Sequence, residues 1–344
     1  MARSLTSRIA AVTVLAVLSA ATAPTAGRLS HVSAATASNI TIGMGYIPNV
    51  QFAPYYVAAQ RGYYRAAGLN VTFNYALSYN LLELVGSGKM DVANADGTDT
   101  IVAVSKKVPL VYVMSEYQKF PVCIFAQTKE KIHAVADLRG KSIGIPGKYG
   151  SIYVGLLAAL HAAKLAESDV RVQVIGYTQV TAVAAGKVDT AVGYCNNEPL
   201  QLQRHGYKIT VLAVSDVANL VAPGLVVGKG LLAHNPARVR AFVQATLHGL
   251  ADTIADPRAA FAICLQQQGL KGLQGSAADD QYAVLLKTIS LWHGPNTRAH
   301  GLGYSDPAQW SASVRILREI GQLSTSPAPV ALYSNTYVAG APKM

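Results

Sequence analysis

Apolar and polar positions along this chain change period again and again. Short alternating runs, such as Thr41-Ile42-Gly43-Met44-Gly45 and Asn70-Val71-Thr72-Phe73, have the two-residue period of strands. Between them lie stretches rich in Tyr, Ala and Leu at helical spacing. Two segments, 84–94 and 182–192, repeat one script: a helix end, a Gly-Lys turn and a short strand, sharing the core Val-x-x-Gly-Lys-x-Asp-x-Ala. Each position has a local reason. Gly88 and Gly186 supply the left-handed residue that ends a helix, Lys89 and Lys187 face its negative end, and Asp91 and Asp189 cap entry to the strand. The repeat extends backward, because Lys141-Ser142-Ile143-Gly144-Ile145-Pro146 and Arg171-Val172-Gln173-Val174 answer the two runs quoted first.

Strand, helix, strand, helix, strand, given twice, predicts an α/β protein of two lobes, each a mixed, mostly parallel sheet flanked by helices. Further strands are expected at 109–113, at 121–125 crossing toward lobe two, at 208–214, and at 224–227 returning to lobe one. A helical segment, 236–323, completes lobe one, with Asn235-Pro236 and Asp256-Pro257 as helix starts. The Pro/Ser/Ala-rich stretch after it is expected to be extended. The resulting division is 38–125 with 222–344 as lobe one and 126–221 as lobe two. Ligands of such sheets bind beyond the carboxyl ends of the strands, so the residues just after each strand line the cleft.

Residues 1–37 read as a cleaved secretory signal: Arg3 and Arg8, an apolar run at 9–20, then small residues with Ala-x-Ala sites at Ala21-Thr22-Ala23 and Ala35-Thr36-Ala37. Pro24 disfavours the first site, which puts processing at 33–38. No cysteine precedes Cys123, so no lipoprotein attachment site is expected. Beyond the N-terminus no apolar run approaches the roughly 20 residues a membrane helix needs. A secreted, periplasmic or envelope location follows.

The net charge of +11 becomes +8 once Arg3, Arg8 and Arg28 leave with the signal. The cations are scattered, singly or in pairs such as Lys106-Lys107, with no stripe interleaved with aromatics, and nucleic acid is not expected as a partner. A solvated cationic surface suits an anionic envelope instead. Cys123, Cys195 and Cys264 are odd in number and widely spaced, which fits neither a disulfide framework nor a zinc site, though one pair is left open. Neither metal nor cofactor is expected.

The stretch Gly45-Tyr46-Ile47-Pro48-Asn49-Val50-Gln51-Phe52-Ala53-Pro54-Tyr55-Tyr56, continued through Arg61-Gly62-Tyr63-Tyr64 and Ala67-Gly68-Leu69, resembles the opening of solute-binding proteins of ABC importers. The branch it is similar to is the SsuA and thiamine-pyrimidine-synthase-like family of type II periplasmic binding proteins. Leu138-x-Gly140-Lys141-x-Ile143-Gly144 and Gly303-Tyr304-Ser305-Asp306-Pro307-x-x-Trp310 also resemble it. The resemblance spans nearly the whole mature chain. It implies a monomer that closes on a small molecule by a hinge motion and delivers it to a membrane permease.

Candidate ligand residues follow the strands. Tyr46 and Asn49 stand after the first, with Tyr55 opening the next helix, as a stacking platform for a flat ring with an amide at its edge; helix packing is the other reading. Asp96 and Thr98 either cap a helix or meet the ligand. Tyr117 stands where the chain approaches lobe two. Tyr149 and Ser151 lie in Gly147-Lys148-Tyr149-Gly150-Ser151, a helix start able to cradle an anion but without the order of a P-loop. Tyr194, Asn196, Asn197 and Glu198 occupy in lobe two the place of Asn94-Ala95-Asp96-Gly97 in lobe one, and together they can read an amino or imide edge.

A small aromatic heterocycle, either a thiamine pyrimidine precursor or a riboflavin-like ring, is therefore expected. A sulfonate, taurine or nitrate is the alternative, disfavoured by Glu198, which repels an anion. The resemblance also raises a pyrimidine-synthase-like enzyme. That activity goes with a cysteine-rich iron-binding segment, and here Cys195 stands alone with no other catalytic motif in the chain, so no enzymatic activity is expected.

Overall fold

A computed structural model of the chain describes residues 37–76 and 80–343. The expected secretory signal, all but its last residue, lies outside them. Every alternating run singled out above falls on one of the ten strands among the described residues: β1 Ser38–Gly43, β2 Leu69–Asn74, β3 Val92–Asp96, β4 Leu110–Ser115, β5 Val122–Gln127, β6 Ser142–Ile145, β7 Arg171–Val174, β8 Thr190–Tyr194, β9 Ile209–Ala213 and β10 Pro223–Gly228.

The strands make two five-stranded sheets, in the orders β2-β1-β3-β10-β4 and β7-β6-β8-β5-β9. In the first, β1, β2 and β3 are parallel while β10 runs antiparallel to both β3 and β4. The second copies that plan: β6, β7 and β8 are parallel and β5 is antiparallel to β8 and β9. Each sheet is thus completed by a strand inserted in the opposite sense. The chain passes from one lobe to the other at 116–121 and back at 214–222.

The repeated turns form as their residues dictate. Gly88 and Gly186 take φ of 77° and 66°, and the following amides, Lys89 and Lys187, donate back to Leu84 O and Ala182 O at 2.9 Å each. The aspartates do more than cap their own strands. Asp91 Oδ2 accepts the Thr41 amide at 2.8 Å, and Asp189 Oδ2 accepts the Ser142 amide at 2.7 Å. Each ties its strand to the parallel neighbour, because β3 and β8 start beside β1 and β6.

The helix Ala53–Gln60 covers the first sheet and is crossed closely by Pro236–Ala255: a Cβ on Gly249 would lie 2.1 Å from Pro54 O, so glycine is what lets the two backbones meet. Helix Gly150–Ala162 packs on β5 and β8 in the second lobe. The C-terminal stretch, expected to be extended, carries two short 3-10 turns and is pinned by Tyr333, whose ring stacks on Trp310 at 5.2 Å. The three cysteines are free thiols. No helix among the described residues is long and apolar enough to cross a membrane.

Candidate functional site

The loops at the carboxyl ends of β1, β3, β4, β6 and β8 enclose a cavity of about 470 Å³. Aromatic rings from both lobes wall it: Tyr46, Phe52 and Tyr117 from the first, Tyr149, Tyr153, Tyr177 and Tyr194 from the second. Tyr46 meets Tyr177 edge to face across the cleft at 5.6 Å between ring centres. A ring slot of this kind suits a flat apolar body with a few polar edge groups.

Carboxylates supply the polarity. Asp96, Asp99, Glu116 and Glu198 all line the cavity. The Tyr194 hydroxyl donates across the cleft to Asp96, 3.1 Å from Oδ1 and 3.3 Å from Oδ2, and Ser151 Oγ lies 3.2 Å from that hydroxyl. Asp99 faces the start of helix Gly150–Ala162, where a Cβ on Gly150 would come within 3.7 Å of its Oδ2. Burial pushes Asp96 up to about 6, and burial together with the charge of Asp96 holds Asp99 well above the ordinary carboxylate range. The helix start that could have cradled an oxyanion therefore already faces two carboxyl groups of the chain itself. Its lysine is also engaged, since Lys148 Nζ pairs with Glu167 Oε1 at 2.7 Å.

Glu198 opens the helix Glu198–Arg204, and both its oxygens have partners. Oε2 accepts the Tyr194 amide at 2.7 Å, and Oε1 accepts Asn197 Nδ2 at 3.1 Å. Gly193 makes room for this, because a Cβ there would sit 2.6 Å from Glu198 Oε2. Burial raises the Glu198 carboxyl as well.

Eight of the residues expected from sequence line the cavity: Tyr46, Asp96, Tyr117, Tyr149, Ser151, Tyr194, Asn197 and Glu198. The other four stand behind it. Asn49 uses Oδ1 to accept the Gln51 amide at 3.0 Å and so caps a short 3-10 turn. Thr98 is fully buried at the start of helix Gly97–Ser105. Tyr55 is buried one layer out, and Asn196 donates to Gln51 Oε1 at 3.1 Å and to Thr288 Oγ1 at 2.7 Å, joining lobe two to lobe one.

The sequence pattern does not single out Glu116, Asp99 or Tyr177. Glu116 follows β4 directly and is only 1% exposed. Its Oε2 accepts both the Tyr55 hydroxyl and Asn94 Nδ2, each at 2.6 Å, while burial pushes the carboxyl up to about 7 against the pull of those two donors. Its position directly after a strand was the available signal.

Two sheets built to one plan, joined by two crossings over a ring-lined cavity, define a two-lobed protein of the periplasmic-binding type. The same architecture recurs in the periplasmic aliphatic sulphonate binding protein SsuA from Escherichia coli, with a TM-score of 0.66 at 17% identity over 89% of this chain and 95% of that one. More narrowly, the chain belongs to the NMT1/THI5-like family, whose model matches residues 49–260. It is 41% identical over 323 residues to the riboflavin-binding protein RibY of Chloroflexus aurantiacus, covering 93% of this chain and 91% of that protein. Similarity is lower to the 4-amino-5-hydroxymethyl-2-methylpyrimidine phosphate synthase of Legionella pneumophila, 23% over 67% of this chain and 73% of the synthase. The formylaminopyrimidine-binding protein of Halalkalibacterium halodurans is 24% identical over 79% of this chain and 82% of its own length.

Proposed function

We propose that this protein is the extracytoplasmic solute-binding component of an ABC importer and that it captures a flavin-type heterocycle between its lobes for delivery to a membrane permease. The observation that carries the choice of ligand is the occupied helix start. Asp96 and Asp99 stand at the N-terminus of Gly150–Ala162, where a sulfonate or nitrate would need to bind, so an anion there would find its place taken by two carboxyl groups and the charge of Asp96 against it. A neutral ring system meets no such opposition. It can lie between tyrosines of both lobes and present its edge to carboxylate and amide groups. A cavity of about 470 Å³ is within the range that encloses drug-sized ligands, and the 41% identity to a riboflavin-binding relative favours a multi-ring flavin over a single pyrimidine.

The test is to titrate the purified protein with riboflavin, a thiamine pyrimidine precursor and an alkanesulfonate, following flavin fluorescence and the melting temperature. Riboflavin is expected to be quenched with one-to-one stoichiometry and to raise the melting temperature the most. A rise with the sulfonate alone would overturn the heterocycle reading, and a rise with the pyrimidine alone would restrict it to single rings.

A further inference from the structure

In the cavity wall, Glu116 keeps a buried carboxylate oxygen that the fold leaves without a hydrogen bond. Glu116 is buried at the first crossing between lobes, its position fixed by its own amide and that of Tyr117, which both donate to Pro223 O at 3.1 Å. Tyr55 and Asn94 both donate to Oε2, and Asn94 also donates to the Tyr55 oxygen at 2.6 Å, so the three side chains form a closed triangle. Oε1 is buried and has no hydrogen-bond partner, although Glu116 lines the cavity. Glu198, by contrast, has a partner on each oxygen. A buried carboxylate oxygen without a donor is costly, and a ligand that brings one removes the cost.

We infer that Glu116 Oε1 is the atom that recognises the ligand, by accepting a hydrogen bond from a ring N–H group, and that this contact selects heterocycles with an unsubstituted imide or amide nitrogen. The inference rests on the flavin reading above, because oxidised riboflavin carries a single ring N–H, that of its imide. The triangle sets the geometry. Two donors fix Oε2, the carboxyl plane cannot rotate without breaking both bonds, and Oε1 is thereby held in one place in the wall that Glu116 contributes to the cavity. A site built on a buried acceptor rejects analogues that lack the matching donor, since the acceptor is then left dry and unpaired. On this assignment the ligand's N–H edge is read from the first lobe and not from the Asn196-Asn197-Glu198 tip of the second.

The experiment compares riboflavin with 3-methylriboflavin, which replaces the imide N–H by N–CH₃, on the wild-type protein and on Glu116→Gln, at about pH 8.5, where the Glu116 carboxyl, raised to about 7, is ionised and Oε1 is an acceptor. In the variant, Tyr55 and Asn94 hold the amide oxygen in the Oε2 place, so the amide N–H₂ takes the Oε1 place and opposes the imide donor. Wild type is expected to prefer riboflavin by at least about tenfold, and the variant to bind riboflavin at least about tenfold more weakly, with the preference collapsing toward one. Equal binding of both flavins by wild type, an arm that needs no variant, would overturn the assignment while leaving the flavin reading intact. So would a variant of native circular dichroism that keeps the full preference, which would mean that the methyl group is excluded by shape alone. Failure of wild type to bind either flavin would overturn the flavin reading itself, and this assignment with it.

Discussion

Two buried glutamates separate what a position in the sequence shows from what it hides. Glu198 is conspicuous, at the end of an apolar run beside two asparagines, yet its oxygens serve the Tyr194 amide and Asn197. Glu116 looks like one more polar residue between Ser115 and Tyr117, and its character comes from Tyr55 and Asn94, which lie far from it in the chain. Sequence position tells which residues follow a strand; it does not tell which of their atoms the fold has already satisfied. The same blindness applies to Asn49, whose capping bond to Gln51 is as compatible with its surroundings as a place in the slot. Glu116 also makes stability depend on pH. Its carboxyl is raised from 4.5 to about 7 by burial, so the native state keeps a proton that the unfolded chain has lost. That contribution is complete below the ordinary value and disappears as the pH rises through about 7, and the raised Asp96 and Asp99 act in the same direction. Scanning calorimetry of the ligand-free protein should therefore show a higher melting temperature at about pH 5.5 than at about pH 8, and Glu116→Gln should reduce that difference.

At the scale of elements the sequence is far more legible. Strand alternation, the two Gly-Lys turns and the Asn-Pro and Asp-Pro helix starts are set by neighbours in the chain, and the ten strands and the helices Pro236–Ala255 and Pro257–Cys264 form where those signals stand. What alternation cannot give is the sheet a strand joins. A boundary after residue 125 falls inside β5, all of which belongs to the second sheet. The repeated aspartate had a local reason, capping, and the fold gave it a longer reach. Asp189 accepts both the amide and the hydroxyl of Ser142, at 2.7 and 2.8 Å, and these bonds with nearby Lys141 and Arg171 hold its carboxyl below the usual range despite burial. Asp189→Ala should then cost about 1–3 kcal/mol in urea unfolding, as expected for hydrogen bonds to an ionised acceptor, with the loss shrinking in acid as the wild-type carboxylate takes up its proton.

For the whole molecule, polar bonds join the two lobes both outside the cleft, as in Arg204 to Asp280 and His161 to Glu319, and across it. Tyr194 to Asp96 and Asn196 to Gln51 cross the cleft, and Tyr46 touches Tyr177. Removing one hydrogen bond worth about 1 kcal/mol changes a two-state balance by roughly fivefold. Small-angle scattering of ligand-free Tyr194→Phe is accordingly expected to give a larger radius of gyration than wild type, with saturating riboflavin bringing the two together. The interleaved strands have a consequence at an earlier stage of the molecule's life. The second sheet is drawn wholly from 122–213, one unbroken stretch, whereas the first lacks its fourth member until β10, at Pro223–Gly228, has been made. During synthesis, β3 and β4 must wait with unpaired edges while the entire second lobe emerges, and the lobe translated first is the one finished last. A chain whose leading half cannot be completed stays threadable through a narrow pore at least until β10 has been made.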